Sequence, residues 1–144
     1  MAGAKILVTG GSGFIGSGLA NALVRAGHRV RVFDNNSRGN PRRLKEVAGE
    51  IEFIDGDIRD ADAVLRAAQG MDEVHHLAFI NGTEFFYKFP ELVLDVGVRG
   101  MVNVIDACRR SGIGTLRLKF RPTKVPRLWC PTRIIHAIAT VQAN

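Results

Sequence analysis

Several residue types are scarce in this chain of 144 residues. It has two cysteines, one tryptophan and one tyrosine, and no Asp or Glu occurs after Gly112. Two cysteines, Cys108 and Cys130, cannot build a disulfide framework, which excludes a small secreted scaffold and makes a reducing cytoplasm the expected compartment. No apolar run approaches the ~20 residues that a bilayer-spanning helix needs. The first residues lack the basic-then-apolar layout of a signal peptide. There is no internal repeat and no low-complexity tract. With 46% hydrophobic and 24% charged residues, the composition is that of an ordinary globular domain.

The charge is unevenly placed. All 14 acidic residues and 14 of the 20 basic ones precede Gly112, so that stretch is neutral. The other six basic residues account for the whole net charge of +6. The chain therefore divides into residues 1–118, which read as one domain, and a basic tail, 119–144, of uncertain structure.

Strand and helix patterns alternate through the first part. Lys5 to Thr9 is a short apolar run ending in glycine, as a buried parallel strand would be. Phe14 to Ala26 predicts a helix with Phe14, Ile15, Leu19, Leu23 and Val24 on one side, stopped by Gly27. His28 to Phe33 is rich in β-branched and aromatic residues and predicts a second strand. A short helix over Arg42 to Val47, a strand over Ile51 to Ile54, a helix over Ala61 to Ala68 and a strand over Glu73 to Leu77 follow. A loop carrying Phe85, Phe86, Tyr87 and Pro90 leads to a long helix, about Glu91 to Arg110. Its stripe is Leu92, Val93, Val96, Met101, Val104, Ile105 and Cys108. Thr115 to Leu118 begins a fifth strand. Such alternation predicts an α/β fold: a Rossmann-like parallel sheet of about five strands, incomplete, with helices on both faces and an irregular C-terminal tail. Within that tail only Ile134 to Val141 is apolar enough for a short helix.

The chemistry is concentrated at Thr9-Gly-Gly-Ser-Gly-Phe-Ile-Gly16. Two spacings fit it, Gly11-x-Gly13-x-x-Gly16 and Gly10-x-x-Gly13-x-x-Gly16, and both belong to dinucleotide-binding turns. Glycines permit the tight strand-to-helix turn, the approach of backbone to a pyrophosphate, and close packing of helix on strand. The pyrophosphate would meet free N–H groups and the positive helix end at Phe14 and Ile15. Asp34 ends the next strand, 21 residues after Gly13, the spacing at which a carboxylate reaches the adenosine ribose hydroxyls. An anion there repels a 2′-phosphate and favours NAD over NADP, although nearby Arg38 is of the type that accommodates such a phosphate.

The sequence resembles the extended short-chain dehydrogenase/reductase superfamily, in its NAD-dependent epimerase/dehydratase group acting on nucleotide sugars. Besides the glycine turn, the resemblance rests on Val32-Phe-Asp-Asn-Asn-Ser-Arg-Gly39, Gly56-Asp-Ile-Arg-Asp60, His76-Leu-Ala78 and Gly100-Met-Val-Asn-Val-Ile-Asp-Ala107. These follow one another in the family's order from about Lys5 to Leu118. The resemblance implies NAD as cofactor, Asp57 and Ile58 at the adenine, Leu77 and Ala78 along the central ribose and pyrophosphate, and Asn35 and Ser37 around the adenosine half. A nucleotide sugar would be the substrate in full-length relatives, with no membrane or nucleic-acid partner.

The resemblance breaks where catalysis should sit. The family uses a tyrosine four residues before a lysine, the lysine lowering the tyrosine pKa. Here the lone tyrosine, Tyr87, precedes Lys88 directly and position 91 is Glu91, so no catalytic residue is assigned. Gly97 stands where many relatives carry an active-site asparagine, and Phe79 and Ile80 replace small residues. Thr123, the nearest hydroxyl after the fifth strand, has nothing to recommend it. The expected product is the NAD-binding portion of an epimerase/dehydratase-type oxidoreductase, without turnover of its own. A non-catalytic dinucleotide module is one alternative, and an interaction protein acting through its basic tail is another.

Minor features have plainer readings. Adjacent His75 and His76 point to opposite faces of a strand and read as packed side chains, not metal ligands. Cys108 lies on a helix stripe as a small hydrophobe. The tail's Arg117, Lys119, Arg121, Lys124, Arg127 and Arg133 surround one aromatic, Trp129, which is a thin case for nucleic acid. Motif match, periodicity and acidic residues all stop near Leu118, as a truncated or frame-shifted end would produce. If so, one of the other two reading frames past codon 118 encodes a Ser/Thr-rich strand end followed by Tyr-x-x-x-Lys. Finding that pattern in neither frame would remove the idea.

Overall fold

The structure is a computed structural model, and it describes residues 3–119 and 138–142. Cys130, Thr123, Trp129 and the tail's Arg121, Lys124, Arg127 and Arg133 lie outside the described residues. Strands β1 (Lys5–Thr9), β2 (Arg29–Asp34), β3 (Ile51–Asp55), β4 (Glu73–His76) and β5 (Thr115–Lys119) are all parallel, in the order β3-β2-β1-β4-β5. A sixth strand, β6 (Ile138–Gln142), runs antiparallel beside β5. The helix expected over Ile134 to Val141 is therefore corrected: its described part is strand. An apolar run of eight residues does not distinguish the two states, and here an open parallel edge supplies the pairing partner.

Alternating side chains on β1 and β2 fill two cores. On one face Ile6, Val8, Val30 and Val32 pack with Ala20 of α1 (Phe14–Arg25) and with Leu44 and Val47, at and after a 3-10 turn at Pro41–Leu44. On the other, Leu7, Phe33 and Val74 pack with Val64 and Ala67 of α2 (Ala61–Ala68), and with Val104, Ala107 and Cys108 of α5 (Gly100–Arg110). Asp60 caps α2, its carboxylate accepting from the amides of Asp62 and Ala63. The doubly covered centre of the sheet explains why β1 is a nearly continuous apolar run.

Three elements differ from the sequence expectation. Phe14 and Ile15 are not core residues; they are 83% and 50% exposed. The fully buried positions of α1 are the small residues Gly16, Ser17 and Ala20, while Leu19, Leu23 and Val24 are half-buried and pack against the same core as expected. The aromatic loop is instead a short helix, α3 (Thr83–Lys88), favoured by the Glu84–Lys88 ion pair at 2.8 Å and by Phe85 and Phe89, whose centroids are 6.1 Å apart. Finally, the long helix is α4 (Pro90–Leu94) joined to α5 by one π turn at Asp95–Arg99. The extra residue in that turn shifts the stripe, leaving Ile105 49% exposed while Val93, Val96, Val104 and Cys108 stay buried.

Helix α1 packs directly on the turn after β1. A Cβ on Gly16 would collide with the Gly10 carbonyl oxygen and stand 2.7 Å from the Gly11 Cα. These atoms belong to backbone that the sheet and helix hold in place. Gly16→Ala is therefore expected to destabilise the chain by about 2 kcal/mol or more. Urea unfolding of the two proteins measures this; equal midpoints and slopes would contradict the packing described.

Candidate functional site

In an open parallel sheet, ligands bind beyond the carboxyl ends of the strands where the strand order reverses. Here the reversal lies between β1 and β4, and a cleft of about 230 Å³ opens there. Nine of the twelve sequence-predicted residues line it. Gly10 and Gly13 come from the turn after β1; Asp34, Asn35 and Ser37 from the end of β2; Asp57 and Ile58 from the loop after β3. Leu77 and Ala78 follow β4. The other three, Phe14, Ile15 and Gly16, form the first turn of α1, which no side chain caps. Gly16 lies under the turn instead of in the cleft.

The two glycine spacings are both used, for different ends. Gly10 has φ +72°, and a Cβ there would stand 2.6 Å from the Ala78 amide nitrogen. Gly13 is extended, with Gly10 O at 3.2 Å from a would-be Cβ. Gly11 faces away from the cleft, where a Cβ would meet Val32 at 2.6 Å. The surface beside β1 is thus bare backbone at a helix N-terminus, the arrangement that accepts a pyrophosphate. These positions fit a dinucleotide, whose phosphates would meet the uncapped first turn of α1.

Asp34 is fixed before any ligand arrives. One carboxylate oxygen accepts from the Ser12 amide at 2.9 Å and the other from the Asn36 amide at 2.9 Å. Asn36 itself has φ 56° and turns the loop back across the cleft. Asp57 is held more firmly. Its Oδ1 accepts from the backbone N (2.9 Å) and Nε (3.0 Å) of Arg59, and its Oδ2 from an Arg59 terminal nitrogen (2.6 Å) and from Asn35 (3.2 Å). The hydrogen-bonded Arg59 guanidinium holds the Asp57 carboxyl below the usual carboxylate range. The same guanidinium reaches Asp95 in the π turn at 3.4 Å. Arg59 was not singled out from the sequence; its signal was its place two residues after Asp57, where a short side chain-to-backbone turn allows the fork to close.

A buried hydrogen-bond set holds the opposite wall. Thr9 Oγ1 pairs with His76 Nδ1 at 2.7 Å and accepts from the amides of Leu77 (3.3 Å) and Ala78 (3.4 Å). His75, on the other face of β4, pairs with Glu73 at 3.3 Å, and Arg117 joins that carboxylate at 3.1 Å. Among the described residues no group of three or more His, Cys, Asp or Glu side chains is placed to hold a metal ion. Burial pushes the Cys108 thiol up to about 11, which makes it a poor nucleophile.

The family's catalytic pair has no counterpart among the residues lining the cleft. Tyr87 is 79% exposed on α3, and its neighbour Lys88 is paired with Glu84. Gly97, at the asparagine position, is covered by the Phe79 ring, which a Cβ would meet at 2.7 Å. Phe79, Ile80, Leu92 and Val96 line that end of the cleft and make it apolar.

Residues 6–120 match the sequence profile of the NAD dependent epimerase/dehydratase family. The chain belongs to that family. It is 39% identical over 115 residues to UDP-glucose 4-epimerase of Neisseria meningitidis serogroup B, covering 76% of this chain and 34% of that protein. It is also 39% identical over 133 residues to 2-alkyl-3-oxoalkanoate reductase of Stenotrophomonas maltophilia, covering 92% of this chain and 38% of that one. A span that long takes in part of the stretch beyond Leu118. The crystal structure of Thermus thermophilus UDP-glucose 4-epimerase in complex with NAD matches with a TM-score of 0.72 and 33% identity, covering 78% of this chain and 36% of that chain. This chain therefore spans about a third of the length of these family members. No helix among the described residues is long and apolar enough to cross a membrane.

Burial drives the His76 pKa down from 6.5 to about 4. The ring is neutral in the fold, whereas the unfolded chain takes up a proton below its ordinary pKa. The stabilisation is complete above about pH 6.5 and is lost as pH falls through about 4, amounting to about 3 kcal/mol. Replacing His76 by Gln should flatten urea stability between pH 6.5 and 4. An unchanged pH slope would mean that another group carries the acid sensitivity.

Proposed function

We propose that this chain is the NAD-binding portion of a nucleotide-sugar epimerase/dehydratase-type oxidoreductase and does not turn over sugar by itself. The observation that carries the reading is the convergence of four strand ends on one cleft: an uncapped helix start at bare glycines, with a fixed carboxylate on each of the next two strands. In this arrangement the amides of Phe14 and Ile15 would receive the pyrophosphate, and Asp34 would accept from the adenosine ribose hydroxyls. Asp57 and Ile58 would bound the adenine, with Asn35 and Ser37 beside them. Leu77 and Ala78, held by Thr9, would form the wall along the central ribose. When bound, NAD supplies an acceptor for hydride that can be returned to the same substrate.

What supports the absence of turnover is the exposed Tyr87, far from any role as a cleft acid or base, and the closed-over Gly97. Residues 1–118 then act as a binding domain in a cytoplasmic protein, with Ile138–Gln142 of the tail paired along its β5 edge. The substrate class rests on likeness to epimerases, and likeness of equal strength to an oxoalkanoate reductase keeps a non-sugar carbonyl substrate as the second reading.

Calorimetric titration of the purified chain should show NAD binding with one site. Asp34→Ala should weaken it by about tenfold, the loss of one or two hydrogen bonds to a charged acceptor. UDP-glucose added to the NAD-loaded chain should produce no epimerised sugar above an enzyme-free control. A folded sample that binds no NAD would overturn the reading, and measurable epimerisation would overturn its second half.

A further inference from the structure

The loop that follows Asp34 carries more positive charge than an NAD site uses. Asn36 turns the chain back, so that Ser37, Arg38 and Gly39 line the cleft beside Asp34. Gly39 lies flat on the glycine turn: a Cβ there would collide with the Ser12 hydroxyl, and the next residue's amide donates to Ser12 O at 2.9 Å. The Arg38 guanidinium lies over the Phe85 ring of α3, 4.9 Å from its centroid. Five residues on, Arg43 donates to Ser12 O at 3.4 Å. Ser12 in turn donates its amide to Asp34, so Arg43 stands behind the same corner.

None of Arg38, Arg42 and Arg43 has a carboxylate oxygen within 4.0 Å among the described residues, whereas Arg59, the other arginine of the cleft, is committed to Asp57 and Asp95. Asp34, the anion expected to exclude a 2′-phosphate, already accepts an amide on each oxygen, which offsets part of its charge. A planar, permanently charged fork resting on an aromatic face costs little to turn toward a phosphate.

We propose that this corner accepts a 2′-phosphate, so that the chain takes NADP as well as NAD, with Arg38 contacting the phosphate and Arg43 supporting it. The proposal rests on the dinucleotide reading above and extends it to a second cofactor. A neighbouring arginine is the usual means by which dinucleotide folds accommodate that group. The competing use of Arg38, holding the pyrophosphate common to both cofactors, predicts a different pattern of losses.

The test is calorimetric titration of the full chain with NAD, NADP, 5′-AMP and adenosine 2′,5′-bisphosphate, with circular dichroism confirming the fold of each variant. NADP is expected to bind within about tenfold of NAD, and the bisphosphate more tightly than 5′-AMP, with salt weakening the phosphorylated partners more. Arg38→Ala should cost NADP and the bisphosphate about tenfold and leave NAD and 5′-AMP within about twofold, while Arg38→Lys restores part of the loss. NAD binding with NADP weaker by about a hundredfold or more would overturn the proposal and spare the NAD reading. Equal losses for both cofactors in Arg38→Ala would also overturn it, assigning Arg38 to the pyrophosphate. Binding of neither cofactor by folded protein would remove both readings together. The comparison of the bisphosphate with 5′-AMP on the unaltered chain decides the matter even if a variant does not fold.

Discussion

The Gly10 carbonyl lies where a side chain on Gly16 would have to stand, and the site depends on that closeness. Because α1 can settle on the turn, its first amides open directly beyond β1. Because Gly10 takes a positive φ, the same turn also touches the backbone of Leu77 and Ala78. One short segment thereby joins the helix start, the end of β1 and the loop after β4. The remaining groups are attached to it by hydrogen bonds: Asp34 through the Ser12 amide, and the β4 loop through Thr9.

The site's electrostatics follow from how its carboxylates are tied. Asp34 is held by backbone amides, one on each carboxylate oxygen. Asp57 has its four acceptor positions met by Arg59 and Asn35, so an adenine amino group would compete with Asn35, the longest of those contacts at 3.2 Å. Arg59 also links Asp57 to Asp95, and so to the π turn where Gly97 receives the Phe79 ring. The Asp57 corner and the apolar end of the cleft are therefore connected through one guanidinium. Tyr87 takes no part in this network: it is exposed on α3, its ring 6.2 Å from that of Phe86 between centroids.

Much of this was legible beforehand, for reasons that differ by element. Strands β1 to β3 are short runs with two or more β-branched residues each, and helix α2 begins at the capping Asp60, so there local chemistry and fold agree. The glycine turn and Asp34 are readable because their spacing reflects a geometry that few sequences meet by chance, whereas Asp57 comes only from the family resemblance. What escaped depends on tertiary contacts. Phe14 and Ile15 have the periodicity of a core face shared with Leu19, Leu23 and Val24, but the first turn of α1 lies so close to the β1 turn that only Gly16 fits beneath it. The π turn has no signature of its own; Gly97 allows it because the Phe79 ring needs the space. Helix α3 is hidden by its exposed aromatics, and the fork of Arg59 on Asp57 is invisible without the loop's shape.

The most direct test of the central claim, that the glycine turn is a dinucleotide site, is a backbone amide NMR titration of the labelled chain with NAD. Resonances of Gly10 to Ile15, Asn35, Ser37, Asp57, Ile58, Leu77 and Ala78 should shift together and saturate at one stoichiometry, with β5 and the helix stripe of α5 unmoved. Shifts that avoid the glycine turn, or that gather only in the basic residues beyond Leu118, would contradict it.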